Sequence, residues 1–288
     1  MTQLFEPAFL ARLEMLRLTG AKSIRGNYTG ERSSKVVGSS LDFADYRPYV
    51  PGDDIRQIDW ALYARLQKWM LKTYLDEREM SVSVYLDTSE SMVEKKEIAV
   101  QLAAALCYTS LYHGDRCAIY SVTEEIHRIL PMLQGRKKIP QFFSKLQQLH
   151  FAGRGDVGNA FATAKGLPQQ AGCSIFITDG FFQTGWEKSL LRLQASHQQV
   201  ILLQVVAKEE REPSYSGDLR LIDSESTEAK EIAISPYAQT LYRERFQKYI
   251  QQLEKWCLNR GIRYLFVPAE EAVETICFTL FREVGILR

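Results

Sequence analysis

The most constraining feature of this sequence is a regular alternation of short apolar segments with longer amphipathic ones, which begins near Met80. Residues 80–86 alternate apolar and polar side chains as a strand does, and residues 94–113 carry apolar side chains at helical spacing. The pattern recurs down to a strand at 262–267 and a closing helix at 270–283. Such alternation predicts an α/β fold with a doubly wound, mostly parallel sheet that is covered by helices on both faces.

The composition changes near residue 80 and divides the chain into two predicted parts. Residues 1–79 open with an amphipathic helix and continue into a stretch that is rich in Gly, Asp, Arg, Tyr and Trp and has little periodicity. Residues 80–288 contain the α/β pattern. We therefore predict an N-terminal extension or small subdomain over residues 1–79 and an α/β domain over residues 80–288.

Charge and hydropathy narrow the classes of function. The 36 Lys and Arg residues nearly balance the 35 Asp and Glu residues, whereas nucleic-acid-binding proteins usually carry a basic surplus, so no nucleic-acid partner is expected. No segment has the ~20 uninterrupted apolar residues of a membrane helix, and the N-terminus lacks the features of a secretory signal. The five cysteines have no spacing typical of disulfides or zinc sites. These features predict a cytoplasmic protein without an integral membrane segment.

Two of the predicted parallel strands end in aspartate. Asp87 closes the first strand and is followed by Ser89 and Ser91 before the long helix begins, and Asp179 closes a later apolar strand. Because parallel strands end at the same edge of a sheet, neighbouring strands would bring Asp87 and Asp179 together, where their charges repel.

A divalent cation would remove this repulsion. Carboxylate and hydroxyl oxygens suit Mg²⁺, or alternatively Mn²⁺ or Ca²⁺, better than they suit zinc. The alternative is structural, with Asp87 capping the following helix and Asp179 opening a turn with Gly180. The two motifs taken together favour the metal site.

The two strand-end motifs resemble a known binding site. They read Asp87-x-Ser89-x-Ser91 and Thr178-Asp179-Gly180. Together they resemble the metal-ion-dependent adhesion site (MIDAS) of von Willebrand factor A (vWA) domains, which have a Rossmann-like fold. The resemblance implies an ion that keeps one coordination position open for a carboxylate of a protein partner.

One position departs from the pattern of those domains, which usually add a Thr from a loop that resembles Gly-Gly-Thr. The matching segment here is residues 153–156, and Gly155 stands where Thr is expected. Asp156 would then supply the missing oxygen, so that the implied metal set is Asp87, Ser89, Ser91, Asp156 and Asp179. The alternative for Asp156 is a cap or first-turn acid of the helix after Gly158.

The stretch before residue 80 narrows the resemblance further. Residues 43–60 read FADYRPYVPGDDIRQIDW, and this run resembles the signature of domain of unknown function (DUF) family 58. The resemblance covers most of the chain, from about Gly26 to the C-terminus. Members of this family carry a vWA-like domain, are commonly associated with MoxR-type AAA+ ATPases and have no established catalytic activity. The resemblance therefore implies that the partner is such an ATPase or its client, and that the chain acts in the assembly or maturation of protein complexes.

Three functions of different classes are compatible with these residues. The first is a non-enzymatic, divalent-metal-dependent protein-binding module. The second is a metal-free scaffold, in which Gly155 marks a decayed site. The third is a Mg²⁺-dependent phosphoryl hydrolase with Asp87 as the nucleophile. Against the hydrolase, Ser89 replaces the usual second acid and the chain has no P-loop sequence, so we do not expect an enzyme.

Overall fold

The computed structural model describes residues 4–19, 43–74, 79–161, 167–182, 185–213, 217–222, 229–234 and 236–288. The start of the DUF58-like stretch, residues 26–42, lies outside these ranges. The chain divides into two compact units, one formed by Met1–Ile24 with Met80–Arg288 and the other by Arg25–Glu79. The predicted N-terminal part, residues 1–79, therefore contributes to both units.

The strands of the described residues have the following bounds. They are β1 (Phe43–Pro48), β2 (Met70–Tyr74), β3 (Ser81–Asp87), β4 (Arg116–Val122), β5 (Ile126–Gln134), β6 (Gly172–Thr178), β7 (Gln198–Val206), β8 (Gly217–Ile222), β9 (Ala229–Ile234) and β10 (Arg263–Pro268).

The helices of the described residues have the following bounds. They are α1 (Pro7–Leu13), α2 (Trp60–Leu66), α3 (Lys96–Tyr112), α4 (Ile139–Gln147), α5 (Val157–Ala160), α6 (Trp186–Ala195), α7 (Lys208–Arg211), α8 (Pro236–Leu258), α9 (Val273–Thr275) and α10 (Phe281–Glu283). Within the described ranges, no helix has the length and apolar character needed to cross a membrane.

The larger unit is built around a six-stranded sheet with the order β10-β7-β6-β3-β4-β5. All neighbouring strands in it are parallel except β5, which runs antiparallel to β4 at one edge. Strand β3 is the first strand of this sheet along the chain and lies in its middle, and the later strands extend the sheet on both sides. The predicted fold class, a doubly wound and mostly parallel α/β sheet, is confirmed.

The core of this unit consists of two layers, one on each face of the sheet. On one face, Val82, Val84 and Leu86 of β3 belong to a buried cluster with residues of α3 and α4. On the other face, Tyr85 belongs to a second cluster with residues of α5, α6 and α8. Because helices cover both faces, every residue of β3 is buried, including the polar Ser81, Ser83 and Asp87.

The N-terminal helix α1 packs into the first of these layers. Its Phe9 and Leu13 are buried in the same cluster as the residues of α3. Leu18 forms a short antiparallel bridge with Leu287, so the two ends of the chain pair with each other. The first residues therefore complete the core of the α/β unit.

The smaller unit contains the antiparallel pair β1–β2 and the helix α2. Asp59 caps α2, because its Oδ1 accepts hydrogen bonds from the backbone N–H groups of Ala61 and Leu62. Its Oδ2 accepts a hydrogen bond of 2.9 Å from the hydroxyl of Tyr46. The Leu62 N–H and then the Tyr46 hydroxyl are the largest causes that lower the pKa of Asp59 to about 2. Asp59, the acid of the Asp59-Trp60 pair, therefore has a structural role in the unit.

Several elements differ from the sequence prediction, and two of these differences have a clear physical reason. Strand β5 was not predicted, and its mixed polarity and Pro131 are typical of an edge strand, which needs neither continuous burial nor every backbone donor. The closing helix predicted over 270–283 consists of the short helices α9 and α10 with a π-helical turn, Ile276–Leu280, between them. Apolar periodicity alone does not distinguish a π turn from an α turn.

Candidate functional site

The predicted site lies where β3 and β6 end beside each other. These two strands are paired in parallel, and the sheet grows outward from them in opposite directions. In open α/β sheets, such a point leaves a crevice at the carboxyl ends of the strands, where ligands usually bind. Asp87 is the last residue of β3, and Asp179 follows the last residue of β6.

Asp87 is the centre of a group of hydroxyl-bearing side chains. Its Oδ1 accepts hydrogen bonds from the backbone N–H of Ser89 at 3.0 Å and from the Ser89 hydroxyl at 2.6 Å. Its Oδ2 accepts a hydrogen bond of 2.7 Å from the hydroxyl of Thr178, on the neighbouring strand. The hydroxyl oxygens of Ser89 and Ser91 lie 3.1 Å apart. The turn after β3 thus places a carboxylate and two hydroxyls within one small region.

The electrostatic position of Asp87 is unfavourable for its charge. The side chain is buried, and this burial, followed by the nearby Asp179 carboxylate, raises the pKa of Asp87 to about 6. Among the described residues, no lysine, arginine or histidine forms an ion pair with Asp87. A buried carboxylate of this kind is stabilised by a proton or by a bound cation.

Asp179 has a different environment, because a buried lysine neutralises it. The Oδ2 of Asp179 lies 3.2 Å from the Nζ of Lys95, and its Oδ1 accepts a hydrogen bond from the backbone N–H of Phe181. The Nζ of Lys95 also lies 2.5 Å from the Oε1 of Glu210, which belongs to α7, the short helix after β7. Burial is the main cause that raises the pKa of Glu210. No sequence pattern indicates Lys95 and Glu210, since only the folded chain brings them to the strand ends.

The turn that carries Asp179 is held by the neighbouring strand β7. The side chain of Gln204 donates a hydrogen bond of 2.8 Å to the backbone carbonyl of Asp179. It also accepts a hydrogen bond of 2.6 Å from the hydroxyl of Tyr264 on β10. Gly180 has a φ of +74°, and a Cβ there would lie 2.7 Å from the Gln204 amide nitrogen. The sequence signal for this contact was a glutamine within an otherwise apolar strand.

All five predicted metal ligands line one cavity of about 20 Å³ at this edge: Asp87, Ser89, Ser91, Asp156 and Asp179. A space of this size accommodates one ion or one water molecule. Among the described residues, no group of three or more His, Cys, Asp or Glu side chains is placed to hold a metal. The available donors are therefore mainly one carboxylate and two hydroxyls, which are hard oxygen ligands and fit a cation such as Mg²⁺. Asp87, Ser89 and Ser91 would hold it.

Comparison with known families identifies the chain. The family model described as protein of unknown function DUF58 matches residues 45–255. The chain belongs to the DUF58 family. It is 26% identical over 240 residues to the uncharacterized protein Rv1480 of Mycobacterium tuberculosis. This match covers 80% of this chain and 75% of that protein. The same values hold for the uncharacterized protein Mb1516 of Mycobacterium bovis.

Solved structures similar to this DUF58 chain include vWA-type proteins. The conserved hypothetical protein BatB from Bacteroides thetaiotaomicron is 16% identical and has a TM-score of 0.44, over 72% of this chain and 98% of that chain. A von Willebrand factor type A protein from Catenulispora acidiphila is 15% identical and has a TM-score of 0.37, over 75% of this chain and 43% of that chain. The mussel byssus protein PTMP1 with a zinc-occupied MIDAS motif is 12% identical and has a TM-score of 0.40, over 72% of this chain and 47% of that chain.

Asp156 both lines the cavity of the DUF58 chain and caps a helix. Its Oδ1 accepts a hydrogen bond of 3.0 Å from the backbone N–H of Asn159, and its Oδ2 accepts one of 2.7 Å from the Asn159 side chain. Each carboxylate oxygen has a second lone pair, so a cap and a ligand are compatible roles.

Replacing Asp156 separates these two roles. We expect Asp156→Ala to lower the free energy of unfolding by about 1 kcal/mol in EDTA, because the cap of α5 is lost. Asp156→Asn keeps a capping oxygen and should retain the stability of the wild type. Mn²⁺ affinity, measured by titration calorimetry, should fall in Asp156→Asn if the carboxylate is a ligand. An unchanged affinity in Asp156→Asn would leave Asp156 with the capping role alone.

Proposed function

We propose that this DUF58 chain is a non-enzymatic, divalent-cation-dependent protein-binding module that acts in the cytoplasm. One observation carries the proposal. The buried Asp87 carboxylate has no ion-pair partner among the described residues, and it shares a small cavity with the hydroxyls of Ser89 and Ser91. This arrangement supplies hard oxygen ligands from one side only. When bound, the cation would offer a coordination position to a carboxylate of a protein partner.

The residues around Asp87 have distinct tasks in such a module. Ser89 donates to Asp87 through its N–H and its hydroxyl, which fixes the carboxylate at the end of β3. Thr178 donates to the other oxygen and so ties Asp87 to β6. Phe181, at the edge of the cavity, is 42% exposed and offers an apolar surface beside the charged one. Aromatic residues, Phe among them, are enriched in protein interfaces.

The size of the cavity supports a binding function over an enzymatic one. Its volume of about 20 Å³ accommodates an ion or a water molecule, whereas pockets for small-molecule substrates measure about 300–1,000 Å³. Ser89 occupies the position two residues after Asp87, where a phosphoryl hydrolase of this type has a second acid. The proposal therefore assigns no catalytic residue.

We further propose a MoxR-type AAA+ ATPase, or its client, as the partner, in the assembly or maturation of protein complexes. This choice rests on what the resemblance to DUF58 proteins implies, and the family model that matches residues 45–255 supports that resemblance.

Binding of the purified chain to the purified MoxR-type ATPase of the same genome tests the proposal. We expect binding in Mg²⁺ that EDTA weakens by about 100-fold or more, because the partner's carboxylate then faces an uncompensated acid. Asp87→Ala should remove the Mg²⁺-dependent part of the binding to the ATPase. Glu90→Ala is the matched control, since Glu90 is an exposed acid of the same loop that does not line the cavity. Equal binding by wild type and Asp87→Ala in Mg²⁺ would contradict the proposal.

The second candidate is the metal-free scaffold, and the buried ion pair between Lys95 and Asp179 favours it. An internal lysine already compensates one of the two strand-end carboxylates. This candidate requires that partner binding be the same in Mg²⁺ and in EDTA, and that Asp87→Asn bind like the wild type.

A further inference from the structure

Lys95 is a buried cation beside the candidate ion site. Its side chain is 1% exposed and its Nζ contacts two carboxylates, those of Asp179 at 3.2 Å and Glu210 at 2.5 Å. Burying a lysine is expensive unless its charge is paired, and apolar replacements of such pairs are often as stable. Stability alone therefore does not explain why a lysine occupies this place.

The two strand-end aspartates differ in what surrounds them. Both oxygens of Asp179 are engaged within the chain, one by Lys95 and one by the backbone N–H of Phe181. Asp87 accepts hydrogen bonds only from neutral donors among the described residues, namely Ser89 and Thr178. The carboxylate that faces a fixed cation has less affinity left for a second one.

Glu210 keeps Lys95 in this position from the opposite side. Its Oε1 contacts the Nζ of Lys95, and its Oε2 accepts a hydrogen bond of 2.8 Å from the backbone N–H of Ala207. Glu210 is thereby fixed at the first turn of α7, directly after β7. Lys95 consequently lies between a fixed acid on α7 and the acid of the site.

We propose that Lys95 is a positioning residue that withholds Asp179 from the ion. The ion is then held by Asp87, Ser89 and Ser91, and its remaining positions stay open to water and to a partner's carboxylate. This inference rests on the proposed function, because it concerns the ion that the site holds there. It makes Lys95 and Glu210 determinants of ion affinity, although neither residue is a ligand.

The double variant Lys95→Met/Glu210→Gln tests this role without changing the net charge of the region. It removes one positive and one negative charge together, so neither lysine nor Glu210 is left buried and unpaired. We expect it to bind Mn²⁺ about tenfold more tightly than the wild type, because Asp179 becomes a further charged ligand. Fewer water molecules should remain on the bound Mn²⁺, as measured by water proton relaxation.

Two further variants show whether Asp179 is the cause. Adding Asp179→Asn to the double variant should restore the Mn²⁺ affinity of the wild type. In Glu210→Gln alone, Asp179 is the remaining carboxylate that contacts Lys95. This variant should therefore bind Mn²⁺ more weakly than the wild type, whereas the double variant should bind it more tightly. Lys96→Met is the matched control, because Lys96 lies over the Phe151 ring and forms no ion pair with a described residue. Its affinity should equal that of the wild type.

The outcomes separate this inference from the proposed function. In one outcome the wild type binds Mn²⁺ through Asp87, and the double variant binds it no more tightly than the wild type does. That result would overturn the role of Lys95 and leave the proposed function intact. Binding by the double variant alone would support the role of Lys95 and contradict an ion site in the wild type. Absence of Mn²⁺ binding in both proteins would overturn both. If the double variant does not fold, tighter binding in Glu210→Gln alone would overturn the inference.

Discussion

Addition of Mg²⁺ or Mn²⁺ to the metal-free chain is expected to raise its unfolding temperature by about 5–10 °C. An ion at ~100 times its dissociation constant stabilises the native state by about 2.7 kcal/mol, which corresponds to such a shift in a chain of this size. The physical reason is the buried Asp87 carboxylate, whose charge is not paired by any described residue. A bound cation compensates this buried charge.

Differential scanning calorimetry in EDTA and in each ion measures this effect. Asp87→Ala should show no ion-dependent shift, and Ser91→Ala should show a smaller one because one hydroxyl ligand is lost. Glu90→Ala, in the same loop but outside the cavity, should keep the full shift. A wild-type unfolding temperature that is the same in EDTA and in all three of Mg²⁺, Mn²⁺ and Ca²⁺ would favour the metal-free scaffold.

The pH dependence of stability in EDTA should carry a second signature of Asp87. Burial, followed by the charge of Asp179, raises the folded-state pKa of Asp87 to about 6 from its ordinary value of 3.8. The folded state therefore binds the proton more tightly than the unfolded state does. The stabilisation is complete below pH 4 and is lost as the pH rises to about 6, and it amounts to about 3 kcal/mol.

Asp87→Asn isolates this contribution from the other titrating groups. The difference in free energy of unfolding between wild type and Asp87→Asn, measured by urea denaturation in EDTA, should change by this amount between pH 4 and pH 7. Excess Mg²⁺ should reverse the trend, because the ion binds the deprotonated carboxylate. A difference that does not vary over this pH range would show that Asp87 is not perturbed in the folded chain.

The layered fold was predictable because its signals are local. The apolar residues of β3 and the helical spacing of apolar residues in α3 can each be read within one element. The positions of Asp87 and Asp179 at strand ends follow from the same pattern. Strand β5 escaped because an edge strand is only partly buried and its polarity resembles that of a loop.

The surroundings of the site were not predictable in this way. Lys95 is one of two adjacent lysines at the start of α3, and only the packing of α7 against the site shows that it is buried between two acids. Gln204 is similar, since its partners are a backbone carbonyl on β6 and a tyrosine on β10. Such contacts join residues that are distant in sequence, and no periodicity records them.

The hydrogen bonds that run from Tyr264 through Gln204 to the Asp179 carbonyl have a consequence for biosynthesis. They cross three strands, and β10 is the last of the three to be synthesised. A nascent chain that has released β3 and β6 from the ribosome already has both aspartates, but the turn with Asp179 is still unsupported. Tyr264 can hold Gln204 only after β10 has also been synthesised, so the support of the Asp179 turn is completed later than the two strand ends themselves.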